Sequence, residues 1–479
     1  MDASGYGSPP DPILGPMTNI REMDAILAHD ENGNPTEPAW PEADVIVGNP
    51  PFLGGKRMRS ELRDEYVDDL FTLYRDRVPR EADLVCYWFE RTRKQIEARE
   101  IRRVGLLATN SIRGGANRRV LSRIKETGDI FFAESDRPWI HNGAAVRVSM
   151  VGFDDGSETM KVLDGVPAEV INSDLTGSLD LTEARILAEN RRIAFQGPVV
   201  VGPFDISARM AQEMLTVIGN PNGRPNSDVI FPVVNASDIV RRSRGWYIVD
   251  FGQRSLEDAA LYEGPFEHVR RHVKPLRDKN RDRQRREYWW RHGRAGTELR
   301  AALQHKRRQM ATPRVAKHRL FAWLDPSTIV TDAVIAFARD DDYFFGVLHS
   351  RAHELWALRM GTSLEDRPRY TPTTCFETFP LPWPPGEEPG GDPRVEAIAQ
   401  AARVLDERRR NWLDPEGASE AELKKRTLTN LYNERPTWLA NAHAALDRAV
   451  FAAYGWPPDI ADEDVLANLL ALNLERSVG

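Results

Sequence analysis

Cysteine is almost absent: Cys86 and Cys375 are the two thiols in 479 residues, and they lie far apart. Neither a disulfide framework nor a zinc site can be assembled from cysteines alone. Long apolar runs are also missing; no stretch approaches eighteen residues, so no membrane-spanning helix is expected. The first thirty residues carry Pro9, Pro10, Asp11 and Glu22 where a signal peptide would need an apolar core. A cytoplasmic chain is the expectation. An excess of positive charge is lacking too. Lys and Arg number 65 against 72 Asp and Glu, for a net charge of −7, which at first sight argues against a nucleic-acid partner.

The distribution of that charge reverses the argument. Residues 270–319 hold eighteen Lys/Arg and four Asp/Glu, a local balance of +14, which leaves −21 on the rest of the chain. An acidic body with one concentrated basic segment suggests a docking surface for a polyanion. Tyr288, Trp289, Trp290 and His318 are interleaved with these charges, as expected of a surface that stacks on bases as well as touching phosphates. The alternative is a solvated helical face.

Hydrophobic residues make up 41% and charged residues 29% of the chain, the balance of a globular protein. Its length suggests two or three domains. Residues 44–48 (DVIVG) read as a buried strand of a parallel sheet, stopped by Asn49-Pro50-Pro51. Helical spacing follows over 82–98, a strand over 104–109, a helix over 118–125, and strands over 130–133 and 146–153. The last two are close enough to form an antiparallel hairpin at the sheet edge. Strands alternating with helices imply an α/β layer, a partial Rossmann-like sheet. Shorter strand-like pieces at 199–201, 246–251, 329–337 and 343–348 suggest an α+β region. A Gly/Pro/Glu linker at 384–393 precedes amphipathic helices, with Ala397, Ala401, Val404 and Leu405 on one face. The expected division is 1–195 for the α/β layer, 196–385 for the α+β region, and 386–479 for the linker and C-terminal helices.

The most informative stretch is Asn49-Pro50-Pro51-Phe52 at the end of the first strand. Ligands of open α/β sheets bind beyond the carboxyl ends of the strands, so Asn49 is delivered to a crevice. Two prolines fix an extended course and remove two N–H donors, leaving carbonyls free as acceptors. The Asn49 side-chain oxygen and the Pro50 carbonyl can both accept hydrogen bonds from one planar amino group. An adenine N6 amine held this way has its lone pair freed to attack a methyl donor. Phe52 offers a ring face for a flipped base.

This tetrapeptide is similar to the catalytic motif of amino-methyltransferases acting on planar nitrogens. The wider run 44–56 (DVIVGNPPFLGGK), with 82–85 (ADLV) and 108–112 (ATNSI), resembles the MmeI-like family of DNA methyltransferases. The resemblance continues through 226–228 (NSD), 272–280 (HVKPLRDKN), 311–320 (ATPRVAKHRL), 337–356 (FARDDDYFFGVLHSRAHELW) and 369–381 (RYTPTTCFETFPL). It implies adenine-N6 methylation of double-stranded DNA, with S-adenosyl-L-methionine as co-substrate, base flipping and no metal, in restriction–modification or phage defence. It implies Asn49, Pro50, Pro51 and Phe52 as the target-amine pocket and residues 197–385 as the target recognition domain. Asp24, in Met23-Asp24-Ala25-Ile26-Leu27, resembles the residue near the cofactor's adenine.

Members of that family carry, upstream of the catalytic strand, a glycine-containing loop for the methionine end of the cofactor. Here 48 residues precede Asn49 and no Asp-Pro-x-x-Gly-x-Gly stretch occurs; Gly5-Tyr6-Gly7 lacks a preceding strand. The expectation is a chain that begins midway through the methyltransferase domain, either a split enzyme whose partner chain supplies the missing cofactor-binding strands or a truncated gene product. Within the basic segment, Lys274, Arg277, Lys279, Arg281 and Arg283 are the candidate phosphate contacts. Asn235, Arg241, Arg314, Lys317 and Arg319 are the candidates for reading base edges. His349 and His353, four apart, lack a third ligand and are expected to pack rather than bind metal. The same amine pocket would suit an RNA adenine or a glutamine amide. A non-catalytic DNA-recognition subunit is the alternative outside the enzymes.

Overall fold

In the computed structural model the described residues are 20–477, apart from 142–143, 178, 180 and 365–366. Gly5-Tyr6-Gly7 therefore lies outside them. The chain divides into two compact units, Met1–Gly177 and Ser178–Gly479.

The first unit opens with a two-residue ladder, β1 (Ala28–His29) against β2 (Pro35–Thr36). Then come β3 (Val45–Gly48), α1 (Met58–Leu62), α2 (Asp64–Leu73), α3 (Val85–Glu97), β4 (Arg103–Thr109) and α4 (Arg118–Thr127). Four strands complete it: β5 (Asp129–His141), β6 (Ala144–Asp154), β7 (Lys161–Leu163) and β8 (Val166–Ala168). The six-stranded sheet has the order β3-β4-β6-β5-β7-β8. β3 runs parallel to β4, with Val45 opposite Arg103 and Gly48 opposite Leu106. β5 and β6 form the antiparallel hairpin that the short connection suggested, but it sits inside the sheet: β6 also pairs with β4, and β5 with β7.

Period-two alternation places Val104, Leu106 and Ala108 of β4 in the core. There they join Val85, Tyr87, Phe89 and Ile96 of α3, Val120, Leu121 and Ile124 of α4, and Phe153 of β6. The strand read as buried behaves differently. β3 is a sheet edge, hydrogen-bonded to β4 alone among the described residues. Ile46 packs on the core, whereas Val45 and Val47, two apart on the other face, are 52% and 81% exposed. An apolar run cannot by itself distinguish a strand covered on both faces from an uncovered edge.

The second unit contains two four-stranded sheets. The strands of these two sheets are β9 (Ala194–Gln196), β10 (Asp205–Ile206), β11 (Ile230–Val234), β12 (Tyr247–Val249), β13 (Gln309–Pro313), β14 (Ala322–Leu324), β15 (Ile329–Val330) and β16 (Val334–Phe337). One sheet has the order β10-β12-β11-β15, the other β14-β13-β16-β9. Residues 199–201 are not a strand; Val199 makes one isolated bridge to Arg294.

Residues 343–348 are not a strand either. Asp342–His349 is a helix, begun by the Asp341 carboxylate accepting from the Phe344 N–H at 2.8 Å. All but its first residue are buried, so the apolar run carries no amphipathic period to betray the helix. The helices Pro393–Leu413 and Thr437–Tyr454 pack on it. A Cβ at Gly346 would lie 2.7 Å from Ile398 and 3.1 Å from Ala402, so glycine is what permits this approach. The buried face of Pro393–Leu413 is Ile398, Ala402 and Leu405, one position round from the alanines read from the sequence. These C-terminal helices share one hydrophobic core with Phe337 of β16 and Met310 of β13.

Candidate active site

The register of β3 on β4 carries Asn49 just past the carboxyl end of the parallel pair. Its side chain is exposed and hydrogen-bonds to none of the described residues. Pro50 beside it is buried, Pro51 exposed and Phe52 half-buried. An exposed carboxamide next to a backbone with no N–H of its own offers acceptors to an incoming amine rather than to the fold.

The chain after Phe52 is firmly held. The Leu53 carbonyl accepts from the Leu84 N–H at 2.9 Å, and the Gly55 N–H donates to Asp83 Oδ1 at 2.9 Å. A Cβ at Gly55 would fall 2.7 Å from the Glu81 carbonyl oxygen and 2.8 Å from that of Ala82, so no side chain fits. Asp83 Oδ2 accepts from Ser111 Oγ and from Asn117 Nδ2, each at 2.7 Å, while Asn117 Oδ1 accepts from the Asp83 N–H at 2.7 Å. Ser111 Oγ also lies 2.6 Å from Thr109 Oγ1, at the end of β4. Three segments are thus joined through one carboxylate. Sequence reasoning missed this set. Asp83 and Ser111 stood inside the strings ADLV and ATNSI, where their polarity beside apolar neighbours was the available signal; Asn117 offered none.

Asp24 sits in a tight turn. Its Oδ1 accepts from the Ile26 and Leu27 N–H groups at 2.9 and 3.0 Å, and its Oδ2 accepts from Tyr66 Oη at 2.7 Å. A carboxylate has about four acceptor sites. Three are used within the chain, which leaves room for one further donor such as an adenine amine.

The basic candidates separate into two groups. Lys279, Arg281 and Arg283 are exposed, and Lys274 is half-buried, its Nζ 2.8 Å from Asp278 and 5.8 Å from the Trp289 ring centre. Arg277 must be withdrawn as a phosphate contact. It is 2% exposed, with Nη2 donating to the carbonyls of Val200 and Arg291 at 3.0 and 3.1 Å. The guanidinium ties the short helix Lys274–Arg277 to the core, and desolvation lowers its pKa. Arg319 is withdrawn as a base reader for the same reason. It donates to Thr312 Oγ1 and to the Pro313 and Pro368 carbonyls, and lies 4.9 Å over Tyr370. Asn235 is a helix cap, its Oδ1 accepting from the Asp238 N–H. Lys317 donates to Asn433 at 2.7 Å, Arg314 is half-buried, and Arg241 is exposed. Trp289 and Trp290 are buried core residues, not stacking platforms. Trp290 donates from Nε1 to the Arg254 carbonyl at 3.0 Å. Of the three aromatics, Tyr288 alone reaches the surface.

His349 and His353 are fully committed to the fold. His349 Nε2 faces Arg409 Nη1 at 2.8 Å and the Phe321 N–H at 3.2 Å, so the proton belongs on Nδ1, 3.1 Å from the Phe345 carbonyl. His353 uses Nδ1 on the Leu348 carbonyl and Nε2 on the Tyr370 hydroxyl, both at 2.9 Å. Among the described residues no group of three or more His, Cys, Asp or Glu could hold a metal ion. No helix of the described residues is long and apolar enough to cross a membrane.

Burial pushes the His353 imidazole down to about 3 and those of His292 and His443 to about 4, and also lowers His268 and His349. Asp447 moves oppositely, raised by burial to about 6, and Glu354 and Glu377 are raised as well. A histidine whose folded pKa is depressed is protonated first in the unfolded state. It therefore costs stability as pH falls below about 6.5, whereas the raised acids give a smaller gain over the same range. Stability should be highest above about pH 6.5 and decline toward about pH 4. Urea midpoints across that window would check this; an unchanged midpoint would contradict it.

The fold and the site define a class: an α/β catalytic unit of methyltransferase type, followed by a target-recognition unit. The family model of the MmeI DNA-methyltransferase domain matches residues 15–164, and that of the MmeI target recognition domain matches residues 221–383. The chain belongs to the MmeI-like family of DNA methyltransferases. Its structure is similar to that of the Type IIL restriction-modification enzyme MmeI in complex with DNA. The TM-score is 0.71 at 20% identity, covering 91% of this chain and 57% of that one. DNA methyltransferase A of Bacillus subtilis (strain 168) is 28% identical over 155 residues, which is 31% of this chain and 15% of that protein. The chain thus spans little more than half the length of the first of these relatives and a smaller share of the second.

Proposed function

We propose that this chain transfers a methyl group from S-adenosyl-L-methionine to adenine N6 at a specific sequence in duplex DNA, in restriction–modification or phage defence. The observation that carries the reading is Asn49. An exposed carboxamide, without a partner among the described residues, stands at the carboxyl end of β3, beside Pro50, within a family-matched methyltransferase region.

In this reading the target adenine leaves the duplex and stacks on Phe52. Asn49 Oδ1 and the Pro50 carbonyl accept the two N6 hydrogens, turning the nitrogen lone pair out of the ring plane and toward the methyl. S-Adenosyl-L-methionine supplies that methyl as an electrophile. One N6 proton leaves to solvent. Asp24, with its remaining acceptor site, is the candidate for holding the adenine amine of the co-substrate. Among the described residues β3 is bonded on one side only, with Val45 and Val47 exposed, which supports a further strand pairing along that edge in the working enzyme, because unpaired apolar edges are otherwise covered or charged in native proteins. No metal is required.

Residues 196–385 take the recognition role, with Lys274, Lys279, Arg281 and Arg283 on the phosphate backbone. Replacing Lys279 or Arg281 by alanine should weaken binding to all sequences alike and lower the slope of log K against log salt by about 1 each. Arg277→Ala should instead lower thermal stability. Salt titrations of the variants separate the two outcomes; an unchanged slope would remove Lys279 and Arg281 from the interface.

The reading is tested by offering labelled S-adenosyl-L-methionine with duplex DNA, RNA and protein. Label in duplex DNA supports it. Label confined to RNA or protein selects another planar amine, and DNA binding without co-substrate binding selects a recognition subunit.

A further inference from the structure

We infer that Asp83 is the positioning residue of the target-amine pocket, acting through the loop that carries Asn49. The inference rests on the proposed methyl-transfer reading and deepens it. Among the described residues the Asn49 side chain has no hydrogen-bond partner to hold it in place. Its geometry must therefore come from the backbone on either side. On one side is β3, held by its pairing with β4 through Gly48. On the other side the first anchors are the Leu53 carbonyl, bonded to the Leu84 N–H, and the Gly55 N–H, bonded to Asp83 Oδ1.

Asp83 is suited to this by its acceptor count. An ionised carboxylate accepts only, and here it receives three donors: the Gly55 N–H, Ser111 Oγ and Asn117 Nδ2. Ser111 lies just past β4, and Asn117 is the residue before α4. The loop after β3 is thereby locked to the strand beside it and to the helix that follows. The Gly55 backbone touches the 81–82 carbonyls too closely for a Cβ, so the clamp has little play. Hydrogen bonds to a charged acceptor are stronger than neutral ones. Asparagine in place of Asp83 would turn one oxygen into an N–H₂ group facing donors.

The clamp bears on reaction geometry as well as on folding because it ends three residues from Phe52 and touches neither Asn49 nor Pro50. Releasing it would loosen the pocket while leaving the core of α3, β4 and α4 in place. Misplacement of reacting groups by about 1 Å costs on the order of 100-fold in rate.

The test compares the full-length chain with Asp83→Asn, Asp83→Ala and Asn49→Ala, with two readouts. The first is methyl transfer to duplex DNA from a host that lacks the modification. Asp83→Asn is expected to lower kcat by at least about tenfold and up to about 100-fold, with KM for DNA and the unfolding midpoint little changed. A defect that is merely structural would move the midpoint and KM as well. The second readout is hydrogen–deuterium exchange over residues 49–57, expected to rise in the Asp83 variants and not in Asn49→Ala. If wild type and Asp83→Asn transfer methyl equally while Asn49→Ala is dead, the positioning role is overturned and the methyl-transfer reading stands. If the wild-type chain transfers no methyl either in vitro or in the host that carries its gene, the methyl-transfer reading fails. Exchange then decides the clamp: a rise confined to 49–57 supports it, and an unchanged pattern overturns it.

Discussion

Asn49→Ala is expected to abolish methyl transfer, by about 100- to 1,000-fold or more, while leaving stability and DNA affinity nearly unchanged. The reasoning is local. The Asn49 carboxamide is exposed and bonds to nothing in the described chain, so its removal costs the fold little. Its acceptor oxygen has value only when an amine is presented to it. The change in charge on N6 occurs in the transition state, so the loss should fall on kcat rather than on binding. The affected residue is also remote in sequence from the basic segment, which supplies the salt-dependent part of DNA affinity. Turnover and DNA affinity measured side by side will check it; a variant that retains even a tenth of wild-type turnover would contradict it.

Trp356→Ala should have the largest effect on stability, about 3–5 kcal/mol. Trp356 is fully buried in the second unit. Its Nε1 donates to Thr378 Oγ1 at 3.0 Å, and its ring lies 6.5 Å from that of Phe379, centre to centre. Alanine would leave a cavity in a core shared by the strands of one sheet and the C-terminal helices. Thr378 Oγ1 keeps its own bond to the Thr374 carbonyl, so little of the loss is a stranded hydroxyl. Chemical denaturation should show a lowered midpoint with an unchanged slope. A loss under about 1 kcal/mol would mean the site collapses or is not packed as described.

Much of the first unit was legible because its signals are local. The run ending at Gly48 and the period of 118–125 each depend on residues adjacent in the chain, and each produced the element expected. Whether β3 lies inside or at the edge of its sheet depends on what pairs with it, which no short window contains. The second unit was less legible for the same reason. Tyr343 to Leu348 is apolar on every side because two later helices enclose it, and only the Asp341 cap marks it as helical. Trp289 and Trp290 looked like a stacking surface because they sit among arginines, yet the chain folds them inward and leaves the charges out. Arg277 shows the converse: a cation in a cationic run drawn inside by two backbone carbonyls. The placement of Asn49 at the exposed end of β3 was readable, whereas the contacts of Asp83 were not, since their partners lie 28 and 34 residues away.

The central claim is that adenine N6 of duplex DNA is methylated at the tip of β3. Sequencing modified bases in a host with and without the gene tests it most directly. The account predicts N6-methyladenine at one recurring sequence, present with the wild-type gene and gone with Asn49→Ala. The same modification persisting in the Asn49→Ala strain, or methyl groups found on cytosine instead, would contradict it.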